Sequence, residues 1–369
     1  MRATFPILMT AGFGAIGLLV WVGVHQSPTP AAESAPVPPP AVPVAHHPVR
    51  PAAALPVEPA MAETPTPTEK GTNLLARLLK GEEVPKLTAE QIEPFLAANH
   101  RSAASLLAAG RTTGDPKYLQ EAMDRFPNDP RVDFAAVFRN GAPPEERRHW
   151  LETFQKSDPN NALPTYLLAL DDFKAGNRAA GLQQMAAAGP NARWTDYSAD
   201  FMQNAEEAYA SAGYSPTEAK LIGAENLLLP HLAGLKQLGV SLGETAKSSL
   251  QEGDAASAQA ALAMEASLGH QLAAPQQQTL IATLVGIAVE RMGLSAMDPA
   301  APLGDNGQTA QDRLAALTQQ RAELKALTQQ ATAIQPNLSE PELGVYFDRM
   351  KSLGEVPAMQ WLINRYGTK

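Results

Sequence analysis

From residue 3 to residue 24 the chain reads ATFPILMTAGFGAIGLLVWVGV, without one charged side chain. These 22 positions predict a helix able to cross ~30 Å of hydrocarbon at ~1.5 Å per residue. Gly12, Gly14 and Gly17 match the spacing G-x-G-x-x-G. A dinucleotide loop, however, needs a strand before it and an acidic residue about 20 positions after it. Here the apolar run continues to Val24, and the first acid, Glu33, lies among prolines. The glycines are therefore read as part of a membrane segment. Its apolar region exceeds the about 7–15 residues of a cleaved signal peptide, and no small-residue cleavage site follows, so an uncleaved anchor is expected. Arg2 and the amino terminus carry the positive charge of the leading side, which predicts a cytoplasmic N-terminus and an extracytoplasmic body.

The next stretch, residues 26–70, mixes thirteen prolines with Ala, Val and Thr. Such a composition cannot bury a core and favours an extended polyproline II linker. His46 and His47 lie inside it. With no further ligand nearby, they read as a solvated pair.

From residue 71 the pattern becomes helical. Thr88 with Gln91, and Ser215 with Pro216 and Glu218, have the spacing of N-terminal capping boxes. A recurring joint follows in RTTGDPKYL, FKAGNRAAG and LQEGDAASA. Gly114, Gly176 and Gly253 each suit a left-handed helix end, and Asp115, Asn177 and Asp254 each suit the cap of the next helix. Gly141 and Gly213 mark two looser joints.

The joints recur at intervals that bracket the ~34 residues of a two-helix tetratricopeptide unit. In DPNNALPTYLLALDDFKAGNRAAGLQQM, residues 158–185, the chain resembles the tetratricopeptide family. Asp158-Pro159 would open the unit and Gly176-Asn177 would turn it. Tyr166, Leu168 and Ala169 would pack from the first helix, and Leu182 from the second. Asp129-Pro130 is a fainter opening of the same kind. Asp172 departs from the family by standing where a large apolar residue is usual. The resemblance implies an all-α fold of stacked antiparallel helical hairpins, a tetratricopeptide-like superhelical array behind a transmembrane helix and a disordered proline-rich linker.

After Ser215 the helical runs lengthen, with Pro230 expected to break one of them. Leu314, Leu317, Leu324, Leu327, Ala331 and Ile334 form one stripe, read as a helix packed on the body rather than a coiled coil. Two short helices are expected at the C-terminus, with Tyr346 and Trp361 as core residues. The expected organisation is thus an anchor over 1–25, a linker over 26–70 and a hairpin body over 71–296. A loop over 297–308 and capping helices over 309–369 complete it.

Composition sharpens this picture. The chain is 44% hydrophobic but only 6% aromatic, with alanine prominent, which favours helices over strands. Trp150, Trp194, Tyr166 and Tyr209 are expected in the core or in hairpin seams. The net charge of −9 argues against a nucleic-acid partner. Cysteine is absent, which excludes disulfides and thiolate chemistry within the chain.

Candidate chemistry is sparse. Gly239, Ser241 and Gly243 spell G-x-S-x-G, but helical sequence flanks Ser241 on both sides, whereas a nucleophile elbow follows a strand. Asp254 and His270 would be awkward partners for it, and the two glycines are read as sites of close helix packing. Asp171-Asp172, Glu145-Glu146 and Glu206-Glu207 are read as solvated helical faces, since neighbours on a helix point about 100° apart. No catalytic, metal-binding or cofactor-binding residue is assigned and no cofactor is expected. The expected function is a non-catalytic, membrane-tethered scaffold or adaptor for a protein or peptide of the cell envelope. The alternatives are a structural subunit that forms a homo-oligomer, and a glycan-binding protein or enzyme whose site assembles only in the fold.

Overall fold

A computed structural model describes residues 77–78, 83–189, 193–274, 279–303 and 307–367. The expected anchor, residues 3–24, and the proline-rich segment, residues 26–70, lie outside the described residues. Among the described residues no helix is long and apolar enough to cross a membrane.

The described residues are all-helical, with fifteen α-helices, a 3-10 turn at Gln335–Asn337 and an isolated bridge between Pro302 and Thr309. The first seven helices are α1 (Ala89–Ala98), α2 (Ala103–Thr113), α3 (Pro116–Arg125), α4 (Pro130–Val137), α5 (Pro144–Ser157), α6 (Ala162–Lys174) and α7 (Arg178–Ala188). Then come α8 (Ser198–Ser211), α9 (Pro216–Glu225), α10 (Pro230–Gln251), α11 (Ala255–Leu272) and α12 (Leu280–Ala296). The last three are α13 (Ala310–Ile334), α14 (Glu340–Leu353) and α15 (Glu355–Tyr366).

Local chemistry sets most of these ends. Thr88 and Gln91 close a capping box on α1, and Ser215 and Glu218 close another on α9 with Pro216 at its first position. Asp115, Asp129 and Asp254 accept backbone amides at the starts of α3, α4 and α11. All five joint glycines, Gly114, Gly141, Gly176, Gly213 and Gly253, have φ between +75° and +90°. That region costs a residue with a Cβ roughly 1–2 kcal/mol. Pro230 ends one helical run and starts α10. Two details differ from expectation. The helix opening expected at Asp158-Pro159 starts three residues later, where Asn161 caps α6. Asn177 precedes α7 without a side-chain cap bond.

Most consecutive helices pack against each other, giving a helical-repeat-like fold, whereas α7 and α8, α9 and α10, and α13 and α14 do not pair in this way. Contacts between distant helices add to this neighbour order: α8 lies on α2 and α1, α10 on α6, and α14 on α9. One apolar cluster extends from Leu78 to Leu362. It buries Trp150, Trp194, Tyr166, Tyr209 and Tyr346. Trp361 is only half-buried, beneath the Arg349 guanidinium at 4.5 Å, so its expected place in the core is corrected. The α13 stripe faces the body, against α12 and α15, with Leu317, Leu324 and Ala331 buried.

α11 and α12 approach each other tightly at two glycines. A Cβ on Gly269 would lie 2.1 Å from the Glu290 nitrogen, and one on Gly286 would lie 2.3 Å from the Ala273 nitrogen. On α10, Gly239 faces Val289 and Gly243 faces Glu265, which is the close packing expected of these two glycines.

Candidate functional site

The densest chemistry of the described chain lies where α2, α6, α8 and α10 meet the segment RWTDYS, residues 193–198. Asn161 positions that segment. Its Oδ1 accepts the Leu163 amide at 3.1 Å, which caps α6, and the Thr195 amide at 3.0 Å. Its Nδ2 donates to the Thr195 carbonyl at 2.9 Å. The Arg193 carbonyl takes the Ala162 amide at 2.9 Å, so two backbones are joined side by side. Tyr197 is held at φ +57°, an unusual conformation for a bulky residue, and its hydroxyl donates to Asp158 at 2.7 Å.

Within this frame Asp196 meets His231, the second residue of α10. Nε2 of His231 lies 3.2 Å from Asp196 Oδ2, near enough for charge attraction though not aligned as a hydrogen bond. The imidazole is fully buried and contacts the rings of Phe134 and Trp194. The Ser198 amide donates to Asp196 Oδ1 at 3.0 Å. Burial opposes ionisation of Asp196, but His231 and Ser198 outweigh it and hold the carboxyl below its ordinary range. From the last turn of α2, the Arg111 guanidinium lies 3.7 Å above the Phe201 ring. Burial lowers its pKa to about 10, opposed by the Asp196 charge. On α4 the buried Asp133 accepts from Ser157 Oγ at 2.6 Å, and burial pushes its carboxyl up to about 6.

Ser198, Asp196 and His231 are the residue types of a nucleophile relay. A relay needs the serine hydroxyl bonded to the imidazole. Here the serine contributes its amide to Asp196, its Oγ has no partner, and His231 has no exposed surface. The arrangement instead ties α2, the 193–198 segment and α10 to one another. Sequence reasoning missed it because its members are separated by up to 120 positions. The one local signal was a compact aromatic and polar run in an alanine-rich chain.

The motifs considered from sequence separate in space. Ser241 lies within α10, and its carbonyl accepts from Thr245 Oγ at 2.8 Å. Asp254 caps α11, while His270 Nδ1 lies 3.2 Å from Arg313 Nη2. Of the acidic pairs, Glu145 and Glu207 are exposed as expected, whereas their neighbours and both Asp171 and Asp172 are partly or fully buried in ion pairs. Asp171 bonds Arg147, and the buried Asp172 accepts from Arg148 at 2.8 Å, so two arginines of α5 secure α6. Glu206 pairs with Lys351 of α14 at 2.6 Å, and Glu146 pairs with Arg139. Asp172 occupies its apolar-type position because Arg148 reaches it from the neighbouring helix.

A cleft of about 400 Å³ lies between the end of α13, the start of α14 and the end of α15, lined by Ile334, Asn337, Leu338, Glu342 and Tyr366 among others. Its Glu342 carboxylate is committed to capping α14 through Ser339 at 2.7 Å and 2.8 Å. Among the described residues, no three His, Asp or Glu side chains are grouped so as to hold a metal ion. No protein-family model matches the chain, and no curated protein or solved structure is significantly similar to it.

Proposed function

We propose that the chain is a membrane-tethered, non-catalytic scaffold or adaptor that presents a tetratricopeptide-like hairpin body to a protein or peptide of the cell envelope. In this reading residues 3–24 anchor it with the N-terminus cytoplasmic, and residues 26–70 hold the body away from the membrane. The observation that carries the proposal is how the interior polar groups are used. Asp172, Asn161 and Glu290 bond to neighbouring helices or segments, binding the stack together, and His231 and Asp196 are paired inside it. Such hairpin stacks offer broad side-chain surfaces for partners, and a net charge of −9 favours basic or neutral ones.

The test is photocrosslinking in the native membrane, with a photoreactive residue placed in turn at exposed positions of α3, α7, α10 and α13. One protein captured from a contiguous patch supports the adaptor reading. Self-crosslinks alone would replace it with an oligomeric assembly role. An absence of protein adducts at every position would overturn it and direct attention to glycans or small molecules.

A further inference from the structure

Glu265 lies in the middle of α11 with only 1% of its surface exposed. It is wedged between two glycine positions. A Cβ on Gly243 of α10 would lie 3.3 Å from its Oε2, and one on Gly293 of α12 would lie 3.2 Å from its Cβ. Its Oε1 is buried and has no hydrogen-bond partner. A buried carboxylate without a partner is costly, whereas a neutral carboxyl is tolerated.

The charged groups of the surrounding helices are engaged elsewhere or face outward. On α12, Glu290 accepts Arg313 Nε of α13 at 2.6 Å, and Arg291 donates to Thr318 at 2.6 Å. On α10, Glu244 and Lys247 flank Gly243 and are exposed. On α11, His270 is exposed and faces Arg313. The buried hydroxyl of Thr245 on α10 donates to the Ser241 carbonyl.

We propose that Glu265 makes the α10–α11–α12 bundle a protonation-sensitive element, closed around a neutral carboxyl and loosened when that carboxyl ionises. Burial alone pushes the Glu265 carboxyl up to about 7, against an ordinary value of 4.5. Between those two values the folded chain keeps a proton that the unfolded chain releases. The stabilisation is therefore full below about 4.5 and is lost as the pH rises through about 7. The glycines leave no slack for an ionised group to gather water without parting the helices.

Hydrogen exchange of the full chain in mild detergent tests this at pH 5.5 and pH 8, corrected for intrinsic rates. Protection of α11 and α12 peptides is expected to fall about tenfold or more relative to α1–α3 peptides between the two conditions. The Glu265→Gln variant, which cannot ionise, is expected to abolish that difference. Equal protection ratios in the unmodified chain at both pH values would overturn the proposal, whether or not the variant folds. So would an unchanged pH response in a folded Glu265→Gln chain.

Discussion

The imidazole of His231 stands 3.2 Å from the Asp196 carboxylate, joining the start of α10 to the segment that leads into α8. The Arg111 guanidinium on α2 also interacts with the Asp196 charge. His231→Ala is expected to cost about 3 kcal/mol, from the emptied ring volume and the weakened support of Asp196. His231→Phe keeps contact with Phe134 and Trp194 and should cost less. Denaturant unfolding of both variants checks this, and an alanine variant as stable as the parent would refute it. Because the Asp196 carboxyl lies below its ordinary range, its stabilising share is present above about pH 4 and is lost as the pH falls through the folded value.

Two glycines should respond to alanine for different reasons. Gly253→Ala meets no atom within 4 Å but must hold φ +79°, so a loss of about 1 kcal/mol is expected. Gly269→Ala places a methyl 2.1 Å from the Glu290 nitrogen, in the backbone of α12. Relief requires parting the helices, at a cost of about 3 kcal/mol or more. Thermal unfolding should rank the variants in that order, and the reverse order would contradict the seam described here.

Asn161→Ala removes two hydrogen bonds to Thr195 and the cap of α6. A loss of about 2–3 kcal/mol is expected, since the Thr195 groups lose their partner inside the fold. Trp194, buried beside His231, should become more accessible. Acrylamide quenching against the parent protein measures this, and unchanged quenching with unchanged stability would show that the segment holds without Asn161.

Glu121 accepts two hydrogen bonds from Arg101, at 2.6 Å and 2.9 Å, and one from Arg125. The Arg101 bond chiefly lowers its carboxyl to about 2, from 4.5. The folded chain thus stays ionised where the unfolded chain takes up a proton. This stability is present above about 4.5 and is lost as the pH falls toward about 2. Because the side chain is 29% exposed, solvent screening reduces the effect, and Glu121→Gln should cost only about 1 kcal/mol at pH 7. Acid unfolding midpoints of the two chains should converge at the low-pH limit.

The capping boxes at Thr88 and Ser215, the five joint glycines and the break at Pro230 were readable because each is a local device, complete within a few residues. The exceptions show what locality leaves out. Asp158 does not open α6, because the Tyr197 hydroxyl, 39 positions away, bonds its carboxylate. Asp171 and Asp172 leave the solvated class because Arg147 and Arg148 arrive from α5, 24 positions earlier. Neither partner could be identified before the hairpins were assembled.

By itself the sequence determined the all-α class, the hairpin joints and the α13 stripe, since helix propensity, capping and glycine backbone freedom act over one turn of chain. It also carries the uncharged run over 3–24 and the proline-rich run over 26–70, which are properties of composition. Only the tertiary structure decided that α8 returns to α2, that Arg111, Asp196 and His231 meet, and that Glu265 is enclosed between Gly243 and Gly293. Those outcomes depend on which helix faces touch, and that follows from burying the whole apolar surface at once rather than from any local segment.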